Sequence, residues 1–140
     1  MVNFSLPKYK EGRLLLIINS CREEIIPPDN PAGNINQPVQ STSGNSYTFI
    51  INADRISNSI TDYFSIFSVK SRLFFSLNSY VSGAVQISVF NDQNDLFFQE
   101  TLNQNITGVS VNFEGKIPNS IVLAFNNFTG KLKVQLTKLD

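Results

Sequence analysis

Five carboxylates are the first candidates for chemistry: Glu23 beside Glu24, Asp92 close to Asp95, and Glu100. Two carboxyl groups flanking a glycosidic bond can hydrolyse it. None of these five falls in a recognisable motif, and neighbouring carboxylates in loops or at strand ends are far more often solvated than catalytic. The chain contains no histidine. That removes the Ser-His and Cys-His nucleophile systems, the usual zinc and iron ligand sets and the commonest general base. No glycine-rich phosphate loop is present. The reading is a protein that is not an enzyme, with no catalytic residue and no cofactor.

Oxygen ligands are the next possibility. Asp92, Asn94 and Asp95 in the run Asp92-Gln93-Asn94-Asp95 are a weak calcium candidate, without the fuller spacing of an EF-hand loop. A polar turn explains the same residues more simply. Asn3-Phe-Ser, Asn105-Ile-Thr and Asn127-Phe-Thr match the glycosylation pattern, as chance allows in so Asn- and Ser-rich a chain. The lone Cys21 cannot form an internal disulfide and reads as a small buried residue.

Aromatic rings are the remaining way to recognise something. There are twelve Phe and four Tyr but no Trp. Most should be core. Phe64, Phe74, Phe90 and Phe98, at outward or ambiguous positions, form a hypothetical contact surface. Tyr47, Tyr63 and Tyr80, with loop Asn and Gln residues, are the rings available for stacking on a carbohydrate or another surface ligand.

The elements that must carry these residues are strands. Asp62 to Asn91 reads as three consecutive short strands: Tyr63 to Val69, Leu73 to Leu77 and Ala84 to Asn91. In the third, Val85, Ile87 and Val89 face inward, with Gln86, Ser88 and Phe90 outward. In the first, Tyr63, Phe67 and Val69 lie on one parity and Phe64 and Ile66 on the other, so something must cover a second apolar face. Leu14 to Asn19, Ser46 to Asn52, Leu96 to Gln99, Gly108 to Phe113, Ile121 to Phe125 and a last strand bearing Leu132, Val134 and Leu136 bring the total to about nine. Ala53 to Thr61 reads as a turn or one helical turn. Asn91 to Asp95 reads as a hairpin turn, and Asn126 to Gly130 as another turn. Lys131 and Lys133, outward on the terminal strand, read as guards of a sheet edge. Prolines at 27, 28, 31 and 38 make residues 25–45 a long Pro/Asn/Ser-rich loop, and residues 1–12 an N-terminal arm. Strands at this spacing with no convincing helix indicate an all-β, antiparallel β-sandwich that is jelly-roll-like, forming one domain over 1–140.

From Ser46 to Leu139 the chain resembles the prepeptidase C-terminal type of β-sandwich. Asp62-Tyr63-Phe64-Ser65-Ile66-Phe67 is similar to that family's Asp-aromatic-aromatic-x-x-Phe strand, and Leu73-Phe74-Phe75-Ser76-Leu77 stands where its next strand would. Val85 to Phe90 with the Asn91 to Asp95 turn resembles its hairpin, and Gly130 to Leu136 its final strand. Gly83-Ala84-Val85-Gln86 occupies the place of the family's acidic Gly-Asp-x-Asp stretch. The resemblance implies binding or packaging rather than catalysis.

Eleven basic and eleven acidic residues cancel, so the charge excess of a nucleic-acid binder is missing. No apolar run approaches the ~18 residues of a membrane-inserted helix. Low net charge removes one barrier to self-association. The expectation is a structural or assembly module of virion, surface-layer or appendage type, extracellular or on a virion surface, that contacts itself or other structural proteins. A carbohydrate- or ligand-binding module is the alternative.

Overall fold

The computed structural model describes residues 34–139, which fall in one compact unit, Pro31–Asp140. The N-terminal arm, the strand expected at Leu14 to Asn19, Cys21, Glu23, Glu24 and the first part of the Pro-rich loop lie outside the described residues.

Seven strands make up the described chain: β1 (Val39–Thr42), β2 (Ser46–Ile56), β3 (Ser59–Tyr63), β4 (Lys70–Asn91), β5 (Leu96–Leu102), β6 (Ile106–Glu114) and β7 (Pro118–Lys138). All pairings between them are antiparallel. The longest, β4 and β7, run beside each other from Ser71↔Lys138 to Asn91↔Pro118. On the far side of β7, β2 pairs with its C-terminal half and β3 with its N-terminal half. On the far side of β4, β6 takes the N-terminal half and β5 the C-terminal half. β1 adds an outer strand to β2.

Every ribbon breaks register at the same level. The β4–β7 pairing shifts between Asn78 and Ala84, β2 gives way to β3 across Ser57 and Asn58, and β5 to β6 across Asn103 to Asn105. Left-handed backbone gathers there, at Arg55, Ser79, Gly83 and Asn127. The sheet folds over itself along this line. One layer holds β1, β2, the C-terminal half of β7, the N-terminal half of β4, and β6. The other holds β3, the remaining halves of β7 and β4, and β5. This is the jelly-roll sandwich.

Alternation fills the space between the layers. One layer sends in Tyr47, Phe49 and Ile51 from β2, Leu132, Val134 and Leu136 from β7, and Leu73, Phe75 and Leu77 from β4. The other answers with Val85, Ile87 and Val89 and with Ile121, Leu123 and Phe125, and all of these are buried. Ring contacts cross the gap: Phe49 to Phe125 at 6.4 Å and Phe75 to Phe98 at 6.3 Å. Removing one such Leu or Phe side chain costs about 2–5 kcal/mol.

Several expectations are corrected. There are seven strands rather than nine among the described residues, because β4 and β7 each pass through the corner without ending. Asn126 to Gly130 is the bend within β7, not a terminating turn. Ala53 to Thr61 is the end of β2 and the start of β3, not a helical turn. Tyr63 to Val69 is not a strand: β3 stops at Tyr63 and the rest is irregular connecting chain with a bend at Val69. The C-terminal part of the 25–45 loop contains β1, whose residues are exposed on both faces and so carry no apolar alternation to betray it. Lys131 and Lys133 do not guard an edge, since β7 lies between β2 and β4.

Candidate functional site

The end of the sandwich opposite the corner is closed by residues 64–69, which carry the chain from β3 in one layer to β4 in the other. The Phe64 amide donates to the Asn119 carbonyl (3.0 Å), and the Val69 carbonyl accepts from Gly115 (2.8 Å). Ser68 Oγ donates to the Lys70 carbonyl (2.8 Å). The Ser68 amide turns back to the Ile66 carbonyl (3.0 Å), and Phe64 and Ile66 enter the core at 5% and 0% exposure. Their neighbours stand in solvent: Tyr63 is 72% exposed, Phe67 79% and Val69 52%. In register across the outer face, Tyr63 lies beside the buried Ser120, followed by Phe90 and Leu96. Leu96 is also exposed.

Of the residues expected on a contact surface, Phe64 and Tyr47 are buried and Tyr63 is open. Phe64 packs on Tyr47 with ring centroids 5.3 Å apart. The Tyr47 hydroxyl donates to Asp62 Oδ2, and so does Gln40 Nε2. Burial, with Asp62 beside it, holds the Tyr47 proton far more tightly than a free tyrosine would. Phe74 lies on the outer face over Gly108, where a Cβ would come within 3.0 Å of its ring, and Lys133 Nζ sits 6.0 Å from its centroid. Phe90 is outward and half-buried. Phe98 points inward between Phe75 and Phe113. Tyr80 belongs to the corner, donating from its hydroxyl to the Gly83 carbonyl (2.8 Å).

Sequence reasoning does not single out Phe67 and Val69 as contact residues, yet a signal is present: both share the parity of Tyr63, opposite the buried Phe64 and Ile66. The polar Ser65 between them marks that parity as the solvent side.

The described carboxylates do not converge. Asp92, Asp95 and Glu100 are exposed, and among the described residues no three His, Cys, Asp or Glu side chains gather as a metal site would need. At the hairpin, Asn91 Oδ1 accepts from the Gln93 and Asp95 amides at 3.0 and 2.9 Å, so the turn is held by its own first residue. Asp54 and Arg55 form an exposed pair, and the Arg55 hydrogen bond holds the Asp54 carboxyl below its usual range.

No protein-family model matches the chain, and no curated protein matches it either. The resemblance of Ser46 to Leu139 to the prepeptidase C-terminal type therefore reduces to a β-sandwich architecture. Among solved structures the chain is similar to one from the glycosylation-associated Gap123 complex of Streptococcus agalactiae. The identity is 14% with a TM-score of 0.39, over 73% of this chain and 39% of that one, so the chain spans well under half of that relative. It is also similar to a structure of Bacillus endospore appendages described as disulfide-linked pili (13%, TM-score 0.41, 89% and 100% covered). A third similarity is to a CBM4 structure (11%, TM-score 0.40, 80% and 90% covered).

Proposed function

We propose that this chain is a non-catalytic assembly module that joins copies of itself, or other structural proteins, through the apolar end built by Tyr63, Phe67 and Val69. The observation that carries the reading is the exposure of these three side chains on one short segment whose alternate residues are pinned in the core. Large apolar side chains carried on a pinned backbone act as interface anchors, because little backbone freedom is lost when a partner covers them. A net charge of zero leaves no long-range repulsion between copies. A virion, surface-layer or appendage component fits these properties.

Light scattering coupled to size-exclusion chromatography, run across concentration, tests this. The expected result is a mass above one chain that falls in the Phe67→Ser variant at unchanged thermal stability. A strictly monomeric wild type that also captures no structural partner would overturn it.

One observation supports a second reading. Among the described residues, the outer face of the β3–β7–β4–β5 layer carries no charged side chain. It presents Ser59, Thr61 and Tyr63 on β3, Gln86 on β4, and Gln99 and Thr101 on β5, and Gln99 Nε2 donates to the buried Ser88 Oγ at 3.1 Å. A neutral surface of hydroxyls and amides with an exposed ring at its rim suits a carbohydrate. A glycan array without hits, beside a stable oligomer, would decide for assembly.

A further inference from the structure

We infer that the open edge of β6 is a strand-addition site for a second copy of this chain, paired antiparallel about a two-fold axis at Val111. This rests on the assembly reading above and names a surface different from the Tyr63–Phe67–Val69 end.

An edge strand presents unpaired N–H and C=O groups, and folded proteins blunt such edges with lysine, proline, charge or brevity. Among the described residues four strands have an open side. β1 has only four residues. β3 has five, with Asp62 drawn into the Tyr47 contact. β5 has a register break near Phe97 and carries Glu100 at mid-strand. β6 has nine residues, no lysine, arginine or proline, and one charge, Glu114, at its last position. Lys131, Lys133 and Lys138 sit instead on the central strand β7, where they protect no edge. The break in the β4–β6 register lies before Val109, so Val109 to Phe113 is a regular run.

The core rows explain why the missing neighbour is a copy of the same strand. Phe49, Val134, Phe75 and Val109 lie side by side across the layer, as do Tyr47, Leu136, Leu73 and Val111. Each row ends on a β6 valine, and Val109 is left 38% exposed. Antiparallel pairing about Val111 sets Val111 against its equivalent, and Val109 and Phe113 each against the partner's Phe113 and Val109. Every inward pair is then apolar, and every outward pair joins Ser110 to Asn112. The same geometry places the two Glu114 side chains at opposite ends of the joint, whereas a parallel arrangement would set them together. A two-fold joint is also closed and self-complementary.

The test uses the full chain in a Cys21→Ser background. Val111→Cys should form a disulfide-linked dimer on mild oxidation, because the two positions meet on the axis. Separately, Val109→Lys should weaken dimerisation by more than about tenfold, since it brings an unpaired charge into each apolar row. Its thermal midpoint as a monomer should be unchanged. The inference falls if Val109→Lys associates as tightly as wild type, or if Val111→Cys does not cross-link while the wild type is dimeric. Those outcomes leave the assembly reading standing on the Phe67 end. A wild type that is monomeric at every concentration removes this inference, and the assembly reading then falls only if no structural partner is captured either.

Discussion

The Tyr47 hydroxyl donates a 2.5 Å hydrogen bond to Asp62 Oδ2, tying β2 in one layer of the sandwich to β3 in the other. Gln40 on β1 donates to the same oxygen, so three strands meet at one carboxylate. Burial and this neighbour raise the tyrosine's proton affinity in the folded state above that of a free tyrosine, whose pKa is 10.0. A raised value means that the unfolded chain releases this proton first, so stability from this group is complete below pH 10 and declines as pH rises beyond it. Thermal midpoints measured from pH 8 to 11 should fall above about pH 10. The Tyr47→Phe variant should start lower, by about 1 kcal/mol for the lost hydrogen bond, and show a shallower decline. Parallel curves for the two proteins would refute the assignment.

Among the described glycines, Gly83 is the least tolerant of a side chain. Its φ is +79°, and a Cβ there would lie 2.1 Å from the Asn127 carbonyl oxygen. Gly83→Ala combines backbone strain with a collision against main chain that cannot step aside, where β4 and β7 turn the corner together. The expected loss is at least about 2 kcal/mol, read as a lowered denaturant midpoint. Gly44→Ala, where a Cβ would meet no atom within 4 Å, is the control and should change little.

These two sites show what is legible in the chain. The alternations Leu73-Phe75-Leu77, Val85-Ile87-Val89 and Leu132-Val134-Leu136 mark the correct inward faces, because a strand buried on one side writes its period of two directly into sequence. The corner is not legible. Ser79 to Gly83 and Asn126 to Gly130 carry the Gly, Asn and Ser of a chain-reversing turn, and only the partner strand bending at the same level lets β4 and β7 continue through. Tyr47 reads as a ring for stacking until its carboxylate partner is known. That partner is 15 residues away in sequence, beyond any local pattern. The exposure of Phe67 is half legible: its parity is visible, but which parity faces water depends on Phe64 and Ile66 closing the end of the sandwich.

Ser71 should be better as alanine. Its side chain is fully buried, and its hydroxyl has no hydrogen-bond partner among the described residues. It pairs with Phe113 across β4 and β6. An unsatisfied buried hydroxyl costs on the order of 1–3 kcal/mol, and deleting it leaves only a small void. Ser71→Ala should therefore be neutral or stabilising in chemical denaturation. A loss of about 1 kcal/mol or more, the worth of a made hydrogen bond, would show that the hydroxyl has a partner in solution.

The hairpin at Asn91 separates a self-sufficient turn from a metal loop. Asn91 Oδ1 accepts two backbone amides, the Asn91 amide donates to the Asp95 carbonyl and the Asn94 amide to the Asn91 carbonyl, both at 3.0 Å. Asn94 takes the left-handed conformation that Asn tolerates better than most residues. With these groups already bonded, closure needs no cation, and the thermal midpoint should be the same in calcium and in EDTA. Asn91→Ala should cost about 1 kcal/mol, and calcium should not restore it. A calcium-dependent rise in the wild type that Asp92→Asn abolishes would instead place an ion among Asp92, Asn94 and Asp95.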